Sequence, residues 1–218
     1  MSSLMMIASV SLIIPSALSA TFAESTELDG QILVLSYVTS IILLIFYVVY
    51  LYFQMGSHKH LFTEEDEESH DLGPIAASIV LILATVGVMV CSDSLVESID
   101  GIVEASGVSR TFIGLIIVPI VGNAGEYATT VKASMKGKLN LAISVVVGST
   151  LQIALFVTPF LVILGWIIGH NMDLRFDTFE TTVLFLSVVV VTCLIRDGKT
   201  NYFEGVLLCG TYVNISSP

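Results

Sequence analysis

Long apolar runs follow one another along almost the whole chain, at about 4–23, 31–55, 74–96, 111–131, 140–168 and 179–195. A run of about 20 apolar residues crosses the roughly 30 Å hydrocarbon core of a bilayer as a helix. Six spanning helices are therefore expected. A seventh run begins near Asn201 and stops short, because Tyr202 to Val213 is too brief to span and Asn214-Ile-Ser-Ser-Pro218 is mostly polar. The C-terminus reads as a helix cut off. The expected fold class is an all-α polytopic membrane protein with six to seven transmembrane helices.

The composition agrees. With 55% hydrophobic and only 12% charged residues, a soluble domain is excluded, since globular chains carry about 25% charged residues. The first run has a second reading as a secretory signal, because Ser16-Ala-Leu-Ser-Ala20 resembles a small-residue cleavage site. No Lys or Arg precedes residue 59, so the basic start of such a signal is missing, and a spanning helix is the preferred reading.

Charge gives the orientation. One set of alternate loops carries Lys59, Lys132, Lys136, Lys138, Arg196 and Lys199; the other carries only Arg110 and Arg175. The excess of bases marks the first side as cytosolic, with the N-terminus and the loop 56–73 on that side. The whole chain has 19 acids against 8 bases, a net charge of −11. Nucleic acid is excluded as a partner, as is broad adhesion to an anionic surface, and cations are the natural clients. Six of the 19 acids lie in the loop 56–73, as Glu64-Glu-Asp-Glu-Glu68 and Asp71. Their spacing is not that of an EF-hand. A solvated linker and a loose cation-gathering or regulatory segment both remain open, with His58, His60 and His70 beside it. Cys91, Cys193 and Cys209 have no CxxC spacing and read as small buried packing residues without a disulfide.

Two acids stand inside predicted spans, Asp93 near the end of the third and Glu126 well inside the fourth. A carboxylate at the centre of a span costs about 2.5–3.5 kcal/mol on insertion scales, so such groups mark function unless they are solvated caps. Around Glu126 the sequence reads Pro119-Ile-Val-Gly-Asn-Ala-Gly-Glu126. Pro119 removes a helical hydrogen bond and kinks the helix. Gly122 and Gly125 let the backbone bend, and Asn123 shares a helix face with Glu126. Freed carbonyls, an amide oxygen and a carboxylate form an all-oxygen site for a hard cation such as calcium. The fifth span adds Gly148-Ser-Thr-Leu-Gln152. There Ser149 and Gln152 either line a polar pocket or serve as a packing seam and interhelical glue. Glu97, Asp100 and Glu104 read as loop acids at a mouth on the far side. No nucleotide-binding loop, zinc-protease motif or nucleophile–base arrangement points to an enzyme, and no cofactor is expected.

Gly122-Asn-Ala-Gly-Glu126, Lys136-Gly-Lys-Leu-Asn-Leu-Ala142, Gly148-Ser-Thr-Leu-Gln-Ile153 and Pro159-Phe-Leu-Val-Ile-Leu-Gly-Trp166 together resemble the second repeat of CAX-type calcium/proton exchangers. These vacuolar antiporters of fungi and plants sit within the cation/calcium exchanger superfamily. The resemblance implies half of an inverted-repeat exchanger fold. Residues 1–55 would be the last two helices of the first repeat, 56–73 the acidic cytosolic linker, and 74–218 the second repeat with a truncated final helix. It also implies that Glu126 is the cation and proton carboxylate and that Asn123 and Gly122 belong to its binding motif. Ser149 and Gln152 would line the pocket, with calcium, or manganese, as transported substrate. Asp93 stands where the family usually has Glu, and Tyr127 where many members have His. The motif occurs once, so an incomplete exchanger is expected, whose partner is the missing first repeat or another exchanger chain. A non-transporting, regulatory or dominant-negative half-exchanger is the alternative.

Overall fold

The computed structural model describes residues 2–21, 26–57, 73–196 and 201–216. Apart from short turns and one longer connection, the described chain is helical, without strands among those residues. In chain order, α1 is Ser2–Thr21 and α2 is Thr26–Tyr52, prolonged by a wider π-helical turn at Phe53–Ser57. Next come α3, Pro74–Ser106, and α4, residues 110–122. The others are α5, Ala124–Met135; α6, Leu139–Ile168; α7, Thr178–Arg196; and α8, Tyr202–Ser216. The acidic cluster 64–68, Asp71 and the three histidines near it lie outside the described residues.

Five of these helices, α1, α2, α3, α6 and α7, are long and apolar enough to cross a membrane. They match five of the six expected spans. The expected fourth span, 111–131, is instead two helices, α4 and α5, parted at Asn123. The fifteen residues of α8 rise only about 22 Å, short of a full crossing.

The described residues group into two compact units, one from Met1–Phe62 and Glu126–Ile215 and one from Thr63–Gly125. In the first unit, α1 packs along α7, and α2 along α6. Met5, Ala8 and Leu12 form one face of α1, and Val147, Leu151 and Leu155 one face of α6, in a single buried cluster with Leu43, Val162 and Val188. Their three- and four-residue spacing is the helical period. Tyr47 of α2 stacks on Phe156 at 5.0 Å, and Phe156 on Phe160 at 5.7 Å.

The connection from α6 to α7 is the one long non-helical stretch among the described residues. It starts with a left-handed turn: Gly169 has φ +84°, its N–H donates to the Trp166 carbonyl, and the His170 N–H donates to the Gly165 carbonyl at 2.9 Å. This is the Schellman way of closing a helix C-terminus. It demands glycine at 165 as well, where a Cβ would stand 2.5 Å from the His170 carbonyl oxygen. Beyond the turn, Leu174 is buried at 1% exposure, and two serines satisfy its backbone. The Ser16 hydroxyl of α1 donates to the Leu174 carbonyl at 3.0 Å and accepts the Phe176 N–H at 2.9 Å. The Ser36 hydroxyl of α2 accepts the Leu174 N–H at 3.0 Å and donates to the Ile32 carbonyl. Tyr37 adds a hydrogen bond to the Asn171 side chain and stacks on Trp166 at 4.8 Å. The Arg175 guanidinium bridges Asp29, at 2.8 Å, and Asp173. Thus α1, expected as a spanning helix, is tied to α2 and to the stretch before α7.

In the second unit, α3 runs ten residues further than the expected span end at 96, to Ser106. Its 33 residues measure about 50 Å. Glu97, Asp100 and Glu104 are therefore helical residues of α3, not loop acids. Gly107, at φ +70°, closes the helix, and the Ser109 hydroxyl then caps α4 by accepting the Phe112 N–H. Arg110 returns to Asp100 at 2.8 Å. A further correction concerns the cysteines. Cys91, Cys193 and Cys209 are exposed on the apolar helix exteriors, not buried, as an apolar thiol is free to be where the surroundings are apolar on both sides.

The serine tie is testable. Ser36→Ala leaves the buried Leu174 N–H without its acceptor, and losing a buried partner costs about 1–3 kcal/mol. Purified in detergent, the variant should unfold at clearly lower denaturant or temperature than the parent, while the exposed Ser78→Ala should not. Equal stability of the Ser36 variant and the parent would show that the tie does not hold the segment.

Candidate functional site

The interruption between α4 and α5 has a local cause. Within α4, Ile113–Ile117 forms a π-helical turn, and the Val118 N–H bonds the Ile113 carbonyl five residues back. Pro119 follows at once. Its ring has no N–H and crowds the carbonyl four residues earlier, so the preceding turn widens. The helix then runs only to Gly122. Asn123 leaves helical geometry, at φ −97° and ψ 14°, with its N–H still held by the Pro119 carbonyl at 3.0 Å. A new helix starts at Ala124, which puts Glu126 in its first turn. An acidic side chain there interacts favourably with the positive end of the helix dipole. Asn123 and Glu126 are both half-buried, and Gly122 is exposed. One turn on, the Thr130 hydroxyl donates to the Glu126 backbone carbonyl at 2.8 Å.

The same device recurs in α6, where sequence reasoning did not look for it. Ile153–Val157 is a second π-helical turn, the Thr158 N–H bonds the Ile153 carbonyl, and Pro159 follows. The signal was present as a second proline inside an apolar run. Ser149 and Gln152 stand just before this turn, Gln152 exposed and Ser149 half-buried. The Ser149 hydroxyl donates to the Val146 carbonyl at 3.1 Å, and Thr150 to the same carbonyl at 2.9 Å.

In the first unit, α5 and α6 are the two arms of a hairpin turning at Gly137, whose φ is +75°. Glu126 lies eleven residues before that glycine and Ser149 twelve after it. At 1.5 Å per residue both stand about 17 Å from the turn. Glu126 and Ser149 are thus about the same length of helix away from the turn. Thr130 and Val146, one turn nearer the hairpin tip on each arm, line one cavity. Asp93, Pro119, Gly122 and Asn123 belong to the second unit. There Asp93 is exposed midway along α3, rather than near a helix end. No group of three or more His, Cys, Asp or Glu side chains able to hold a metal ion occurs among the described residues.

Residues 76–216 match the family described as sodium/calcium exchanger protein. The chain belongs to the sodium/calcium exchanger family. Among its relatives in this family is the vacuolar calcium ion transporter of Schizosaccharomyces pombe, 41% identical over 217 residues, an alignment covering 97% of this chain and 53% of the relative. The Ca2+/H+ antiporter of Synechocystis is 38% identical over 228 residues, covering 95% of this chain and 60% of the relative. The solved structure of native YfkE superposes with a TM-score of 0.80 at 35% identity, over 99% of this chain and 60% of that one. This exchanger chain spans about half the length of the curated relatives it matches. The family is one of transporters rather than enzymes, and its all-α membrane architecture is the one found here.

The proline-driven turn can be tested without reference to transport. Pro159→Ala restores an N–H to α6 and should let the π turn tighten to α-helix, rotating residues before it against those after it by about 100°. In a background lacking the three native cysteines, single cysteines placed through 149–164 report this with a lipid-phase thiol reagent. The labelling pattern on the two sides of the turn should shift by one residue relative to the parent; an unchanged pattern would show that the wide turn does not need the proline.

Proposed function

We propose that this chain is the carboxylate-bearing second half of a calcium/proton antiporter of the vacuolar membrane. The observation that carries the reading is a half-buried glutamate at the start of a helix, directly after a proline-widened, broken helix. The chain containing it is 41% identical to a relative named as a vacuolar calcium ion transporter. Residues 1–55 are then the end of the first repeat, 56–73 a cytosolic linker, and 74–218 the second repeat.

The chemistry is competition for one anionic group. Calcium takes six to eight oxygen ligands, preferably including ionised carboxylates. Glu126 supplies such an oxygen, and the Asn123 amide and the carbonyls around Gly122 supply neutral ones. Ser149 and Gln152 offer further oxygens, and Asp93 is a candidate carboxylate through the family resemblance alone. A proton on Glu126 removes its charge and with it most of the attraction for the ion. An acidic lumen therefore displaces calcium there, and each proton carried back recharges the cycle. Net movement is calcium into the acidic compartment. Manganese, which accepts similar oxygen donors, is a second cargo.

The ligand count supports a partner. Counted without Asp93, the side chains named supply fewer than the six to eight oxygens that calcium takes. A first repeat, or another exchanger chain, supplies the rest. Alternating access likewise needs two elements that move against each other.

Co-reconstituting the chain with the first half of the Schizosaccharomyces pombe transporter in acid-filled vesicles tests this. Calcium uptake should depend on the proton gradient, and Glu126→Gln should reduce it to the level of empty vesicles while the two halves still co-purify. Asn123→Ala should raise the calcium concentration needed for half-maximal uptake. Uptake at parental rates by the Glu126 variant would overturn the assignment. The alternative reading is a regulatory or dominant-negative half-exchanger. Co-purification with a complete relative, with lowered uptake by that relative and no uptake by the chain alone, would select it.

A further inference from the structure

We draw no further inference here: the strongest candidate, the row of exposed carboxylates Asp93, Glu97, Asp100 and Glu104 at helical spacing along one face of α3, is an acidic cluster to which nothing else among the described residues assigns a ligand.

Discussion

The first unit depends on how one residue's backbone is satisfied. Leu174 is buried outside any helix, between α6 and α7, where apolar surroundings leave no water for its N–H and carbonyl. In a bilayer such groups are tolerated only where protein supplies the partners. Ser36 takes the N–H and Ser16 gives to the carbonyl, so two helices from the chain's beginning clasp a segment some 140–160 residues later. The packing of α1 on α7 and of α2 on α6 follows from that clasp. The Arg175 bridge to Asp29 and Asp173 adds orientation rather than much energy, since exposed pairs contribute at most about 1 kcal/mol.

A second constraint works along single helices. Two of the three described π turns, Ile113–Ile117 and Ile153–Val157, end two residues before a proline, whereas Phe53–Ser57 does not; the first comes before Asn123 and Glu126 in the chain, and the second directly after Ser149 and Gln152. In each case the proline, which lacks an N–H, displaces the regular hydrogen-bond ladder.

Much of this was legible in the sequence, for a simple reason. Apolar length and internal prolines are local properties, and five of the helices follow from length alone. The division of the fourth span at Asn123 is also local, flagged by glycines on both sides. What was not legible depends on contacts distant in sequence or on the environment outside. No pattern announces that Ser16 and Ser36 hold Leu174, because a serine in an apolar helix reads equally well as packing. The exterior cysteines escaped for another reason: burial is no guide to apolar residues when the outside is apolar too. The added length of α3 was missed because its last turns are acidic, and acidity was read as a loop when it marks a helix leaving the bilayer.

That last feature has a mechanical side. At about 50 Å, α3 is longer than a hydrocarbon core of roughly 30 Å; besides Asp93 midway, its acids Glu97, Asp100 and Glu104 fall towards its end, where Asp100 bridges to Arg110. A helix that long must lean or project. The charges decide which: the apolar turns stay in lipid, and the acidic turns stand in water with the bridge at their foot. In a thicker membrane, drawing more of α3 into lipid costs more once its acidic turns must follow.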